Sequence, residues 1–200
     1  ALKIRRGIYG EEHTLNAECL DQLGGIETAR GMYDPALTHL NQSLAMKKAV
    51  LPADHPAIAD TLQKLAMLHL AQQNLDAAKT HLEQAVVIYE DAVDNSYPLF
   101  VSSLQQLANI YEKQGQLALA TRLREQLLAT GWRSDAMTAS ELTRTLYDLA
   151  HDHLARGETQ RARLMLQGVT SRIGPDATGH TRDMLVDSLE QLIKLSQAPQ

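Results

Sequence analysis

Apolar residues along the chain fall into columns 42 residues apart. Leu20, Leu62, Leu104 and Leu146 form one column, and Leu23, Leu65, Leu107 and Leu149 a second. Gly24, Ala66, Ala108 and Ala150 form a third, and Ala36, Ala78, Ala120 and Ala162 a fourth. Columns that share one register mark stacked supersecondary units, none of which buries its apolar face alone. Within one unit, Ile58, Leu62, Leu65, Ala66 and His69 recur at spacings of three and four, which is one face of a helix. Leu75, Ala78, Leu82, Ala85, Val86 and Tyr89 trace the face of a second. Pro56 suits the first turn of the first helix, with Asp54 or His55 at its cap, and Gln73-Asn74 ends it. Two amphipathic helices joined by so short a turn pack as antiparallel neighbours.

The same turn reads Arg30-Gly31-Met32 and Gln114-Gly115-Gln116 in other units, and Gly157 continues the column. Glycine there fits a helix end that needs positive φ. The Gly24 column is expected where the two helices cross, since a larger side chain would push the backbones apart. The Ala36 column does the same on the second helix. Two places depart from the pattern. Arg124 stands where other units have Leu40, Leu82 and Leu166, so its unit is expected to pack differently. Residues 130–136 contain Gly131 and predict a break at the end of a second helix. Trp132 either plugs the resulting gap or presents a contact, burial being the usual state of a lone Trp.

Small residues at these two crossings, with Leu three before the first, resemble the tetratricopeptide repeat. The usual Trp is replaced by Leu20, Leu62, Leu104 and Leu146, and the usual Tyr by His69, Tyr111 and His153. The stretches Leu2 to His13 and Leu51-Pro52-Ala53-Asp54-His55-Pro56 are similar to the long-period kind found in kinesin light chains and many bacterial proteins. The resemblance implies an all-α fold, a right-handed superhelical solenoid of antiparallel helix pairs with about ten helices. One array would occupy 1–200: a half-repeat at 1–12, repeats at 13–54, 55–96, 97–138 and 139–178, and a terminal helix at 180–197.

It also implies that the first helix of each pair lines a concave face. The groove residues would be Asp21 and Gln22, then Gln63, Lys64 and Met67, then Gln105, Gln106, Asn109 and Lys113, then Tyr147 and His151. Amide side chains donate and accept at once, so they suit the backbone of a partner segment without demanding one charge sign. Met67 adds an adaptable apolar contact. Repeats that clamp a C-terminal carboxylate need several cations in register, and here that column reads Ala29, Ala71, Lys113 and Ala155.

Composition narrows the function. Hydrophobic content is 44% with only 4% aromatics, so small and aliphatic residues do the packing. A formal charge of −5, from 24 acidic and 19 basic residues without a single-sign run, disfavours nucleic acid, whose phosphates need a basic stripe. No stretch approaches the roughly 20 apolar residues that insert across a membrane. Cys19 is the single cysteine; it aligns with Thr61, Ser103 and Thr145, which predicts a small packed thiol. The eight histidines recur by column (His69 with His153, His13 with His55, His39 with His81) instead of clustering, so neither metal nor cofactor is expected. No phosphate loop is present, and nothing places a nucleophile beside a base, so the chain is not expected to be an enzyme.

The leading expectation is a non-catalytic scaffold for a protein or peptide partner. Two other classes stay open: a sensor or regulatory segment of a larger signalling enzyme, and a repeat array that assembles with itself or as a subunit of a secretion or envelope assembly. The opening Ala1-Leu2-Lys3-Ile4 lacks Met and falls within a repeat, which predicts a fragment of a longer chain. Cytoplasmic placement is then the default, and an upstream leader would make it an envelope protein.

Overall fold

A computed structural model describes residues 14–134, 138–173 and 178–197, without the side chains of 93–96, 131–134 and 197. The expected half-repeat at 1–12 and the side chain of Trp132 lie outside the described residues. The described chain is all-α: α1 Thr14–Ala29, α2 Tyr33–Val50, α3 Pro56–Ala71, α4 Leu75–Asp91, α5 Val93–Lys113, α6 Leu117–Ser134, α7 Ala139–Ala155, α8 Thr159–Thr170 and α9 Gly179–Gln197. It divides into two compact units, with the boundary after Leu107, inside α5.

Four tight turns share one geometry. Gly31, Gly115 and Gly157 have φ of +75°, +73° and +74°. The fourth turn is made by Gln73 at φ +60°, a conformation that costs a side-chain-bearing residue energy. In each turn a backbone N–H reaches back over the helix end: Met32 to Glu27 O, Asn74 to His69 O, Gln116 to Tyr111 O and Glu158 to His153 O, at 2.8–2.9 Å. These bonds satisfy carbonyls that the helix end would otherwise orphan. The cap of α3 is His55, whose Nδ1 accepts from Ala57 N at 3.1 Å. Thr138 and Glu141 form a reciprocal capping box at the start of α7.

In the first unit the pairs α1/α2 and α3/α4 meet through the small-residue columns. Gly24 is buried, and a Cβ built on it would stand 2.6 Å from Leu40 Cγ, so α2 crosses α1 at hydrogen-atom contact. Ala36, Leu40, Leu65 and Leu68 form a continuous cluster that joins one pair to the next. Leu23 is the exception in its column, 37% exposed, whereas Leu65 is fully buried. The cover of Leu65 is α2 of the preceding pair.

In the second unit Ala120, Leu149, Ala150, Ala162 and Leu166 continue the core at full or nearly full burial. The expected break at 130–136 is corrected: α6 runs through Gly131 to Ser134, one glycine being too small a helix penalty to stop it.

Candidate functional site

In the first unit two residues predicted on the groove, Asp21 and Gln63, reach from one first helix to the next. Asp21 is only 2% exposed. Its carboxylate accepts from Lys47 Nζ at 2.5 Å and from Thr61 Oγ1 at 2.9 and 3.1 Å. Lys47 is itself buried, and its remaining donors go to Ala57 O at 2.9 Å and Thr61 Oγ1 at 2.8 Å. A buried ammonium persists only when paired and fully bonded, and Asp21 is its counter-charge. Asp21 is therefore corrected from a groove contact to the centre of a seam between α1 and α3. Gln63, 6% exposed, is likewise in a seam, where its Nε2 donates to Ser102 Oγ at 3.1 Å.

Ser102 also accepts from Gln106 Nε2 at 3.0 Å. Two carboxamides thus converge on one hydroxyl, and the other end of Gln106, Oε1, is buried without a partner. Among the remaining predicted positions of α1, α3 and α5, Gln22, Asn109 and Lys113 are exposed, and Lys64 and Gln105 are partly so. Met67 is 52% exposed, a large apolar side chain left in water. Lys64 lies 3.8 Å from Asp21 Oδ2, close enough to feel its charge.

In the second unit Tyr147 and His151 meet the terminal helix. The Tyr147 hydroxyl donates to Asp187 Oδ2 at 3.0 Å, and His151 Nε2 bonds the same oxygen at 2.9 Å. Their rings lie 4.5 Å apart at a tilt of 55°. Burial first, then the bond to Asp187, pushes the Tyr147 hydroxyl up to about 12. For Asp187, burial works in the opposite direction but is outweighed: the bonds from Tyr147 and His151 hold its carboxyl below the usual range. Beside them Arg144 Nη1 contacts His180 Nε2 at 3.2 Å.

Arg124 does pack differently. It is 5% exposed and donates through Nη1 to both oxygens of Asp152 at 2.6 Å. Its Nη2 bonds Glu112 Oε2 at 2.7 Å and Asn109 Oδ1 at 3.1 Å. Asn109 is thereby fixed by its oxygen, which leaves its NH2 end as the donor. Sequence reasoning missed Asp152, although a signal existed: its column reads Ile26, Leu68, Ile110, Asp152. Lys47, Thr61, Ser102 and Asp187 were also missed.

The histidines are used in pairs. His39 Nδ1 lies 2.7 Å from Glu27 Oε2, His69 stacks on His81 with centroids 5.4 Å apart, and buried His153 contacts Glu158 at 2.9 Å. Among the described residues no group of three or more His, Cys, Asp or Glu could hold a metal ion, and no helix is long and apolar enough to cross a membrane. Cys19 is half-buried.

Paired helices, a shared reversed turn and small-residue crossings define a helical-repeat protein. Models of the tetratricopeptide repeat match residues 1–49 and 58–95. No curated protein matches the sequence. Among solved structures, the kinesin-light-chain-like repeats of Podosopora anserina, described as nearly identical and TPR-like, are 24% identical. That match covers 94% of this chain and 88% of that one at a TM-score of 0.70. BtubC (BKLC) from P. vanneervenii is 16% identical, with 92% and 76% covered and a TM-score of 0.69. A Rap protein complexed with Competence and Sporulation Factor is 16% identical, with 98% and 56% covered and a TM-score of 0.62. The two matched segments are thus similar to tetratricopeptide repeats, and the fold of the chain is similar to that of the kinesin-light-chain-like repeats.

Proposed function

We propose that the chain is a non-catalytic protein-interaction scaffold that holds a segment of a partner protein on the face of its first helices, centred on α3 and α5. The observation that carries this reading is the chemistry of that face: exposed Met67 one helical turn from Lys64 on α3, beside Gln105 and Gln106 on α5, which the Gln63–Ser102 bond holds against α3. Gln105, Asn109 and Lys113 extend the same helix face, and Gln22 extends it on α1. An extended or helical segment would use the amides for its backbone and Met67 for a side chain. The solved Rap complex supports the reading in kind, since there a chain of this fold holds a second molecule. Asp21 and Gln63 are left out, being committed to Lys47 and Ser102.

The test is capture of partners from the native host by the wild-type chain and by Gln105→Ala with Asn109→Ala. The control is Arg122→Ala with Glu125→Ala, both exposed on α6. Loss of a partner with the first pair alone is expected. Retention of every partner by the first pair, with loss by the second, would overturn the assignment of the face.

A further inference from the structure

The connection between α2 and α3 opens a cavity of about 610 Å³ in the first unit, within the size range of small-molecule sites. Its walls are Leu51, Ile58, Leu62, Val87 and Ile88, from just past α2, the first half of α3 and the last turns of α4. Val87 is 63% exposed, and Val50, beside Leu51 in the chain, is 49% exposed. Ala53 and two polar side chains, Lys48 and Gln84, complete the lining.

Lys48 and Lys47 are neighbours with opposite fates. Lys47 is neutralised by Asp21, whereas Lys48 is exposed and has no carboxylate partner among the described residues. Its charge is felt inside the hairpin: after burial and His69, Lys48 is the third influence that lowers His81 from its ordinary value. The cavity therefore has one apolar body and one unpaired cation at its edge.

The next pair is built differently at this place. One period later the place of Ile58 is taken by Phe100, fully buried, and α5 begins at Val93 after the single residue Ala92. The 51–55 connection has no counterpart there.

We infer that this cavity binds an aliphatic carboxylate, its hydrocarbon chain against Leu62, Val87 and Ile88 and its carboxylate on Lys48 Nζ, with the Gln84 carboxamide as a second donor. Apolar burial supplies the affinity, and the single cation selects the head group. The site shares no residue with the first-helix face proposed above, so each can fail without the other.

Calorimetric titration with decanoate tests it, with decanol and decyltrimethylammonium as probes of the same chain length. All are used below the concentrations at which they self-associate. One decanoate per chain is expected, about tenfold or more tighter than decanol, the ratio set by one charge-assisted contact. Lys48→Gln should reduce decanoate to the decanol level, and Val87→Glu should abolish decanoate binding. Both positions are exposed, so helical circular dichroism should be unchanged. The inference is overturned if no probe saturates, if decanol or the cation binds as well as decanoate, or if Lys48→Gln leaves the preference intact.

Discussion

Arg124 meets Asp152 at the register position where, two periods earlier, Leu40 meets Leu68. An ion pair has replaced an apolar pair between the second helix of one hairpin and the first helix of the next. Both charges are nearly excluded from water, with side chains 5% and 3% exposed. Burial pushes the Asp152 carboxyl up, and the guanidinium opposes it. The arrangement holds because each charge has the other.

That relationship makes a sharp prediction. Arg124→Leu alone strands the Asp152 carboxylate and should cost about 3–5 kcal/mol. Arg124→Leu with Asp152→Leu restores the column residues and should be neutral or stabilising by about 1–4 kcal/mol. Urea unfolding of the single and double variants decides it. A double variant no more stable than the single would show that the pair is not a substitute for leucine packing.

Adjacent glycines in α1 should respond with opposite signs. A side chain at Gly24 drives into Leu40, so Gly24→Leu should destabilise by about 1–3 kcal/mol or more. Gly25 faces open space, and Gly25→Ala should stabilise by about 1 kcal/mol through helix propensity alone. Thermal denaturation of the two variants side by side is the measurement.

The column reading made most of this architecture legible, and its failures have one cause. Comparison at a period of 42 aligns residues in equivalent places; it does not show which residues touch. The seams are out of register: Asp21 meets Thr61 and Tyr147 meets Asp187, 40 residues on, and Gln63 meets Ser102, 39 on. Asp21 and Gln63 therefore read as free groove positions when they are committed between helices. Helix pairs, turns and crossings were legible because they rest on spacing within a unit, where 3.6-residue periodicity applies.

Gln73 is the one turn residue that the glycine column would improve. Its φ of +60° costs about 1–2 kcal/mol relative to glycine, partly offset by the greater freedom of glycine when unfolded. Gln73→Gly should stabilise by about 0.5–1 kcal/mol, and Gly115→Ala should destabilise by about 1 kcal/mol. Chemical denaturation midpoints with unchanged slopes would confirm that only the backbone term has moved.

Acid should weaken the α3/α4 hairpin. His69 and His81 are stacked with both Nδ1 atoms buried and unpartnered. Burial, then His69, then Lys48 lower His81 below the ordinary histidine value of 6.5. The unfolded chain then binds more protons than the folded one just below that value. The contribution of His81 is present above pH 6.5 and lost as pH falls from there. The equivalent place in the α1/α2 hairpin holds Glu27 against His39, a carboxylate facing an imidazole at 2.7 Å. His69→Glu should accordingly reduce the loss of melting temperature between neutral and mildly acid buffer, and His81→Leu should reduce it as well. An unchanged pH profile in both variants would remove the pair as its source.

The seams also bear on how the chain reaches its fold. They close loops of 39 or 40 residues, and the turns close loops far shorter. The entropy of loop closure grows with length, so contacts of this range form early and need no distant segment to arrive first. As a nascent chain lengthens, α3 alone is enough to give Lys47 its Thr61 and Ala57 acceptors. Each hairpin is thus completed by its successor, and synthesis can proceed with only the newest hairpin unsatisfied.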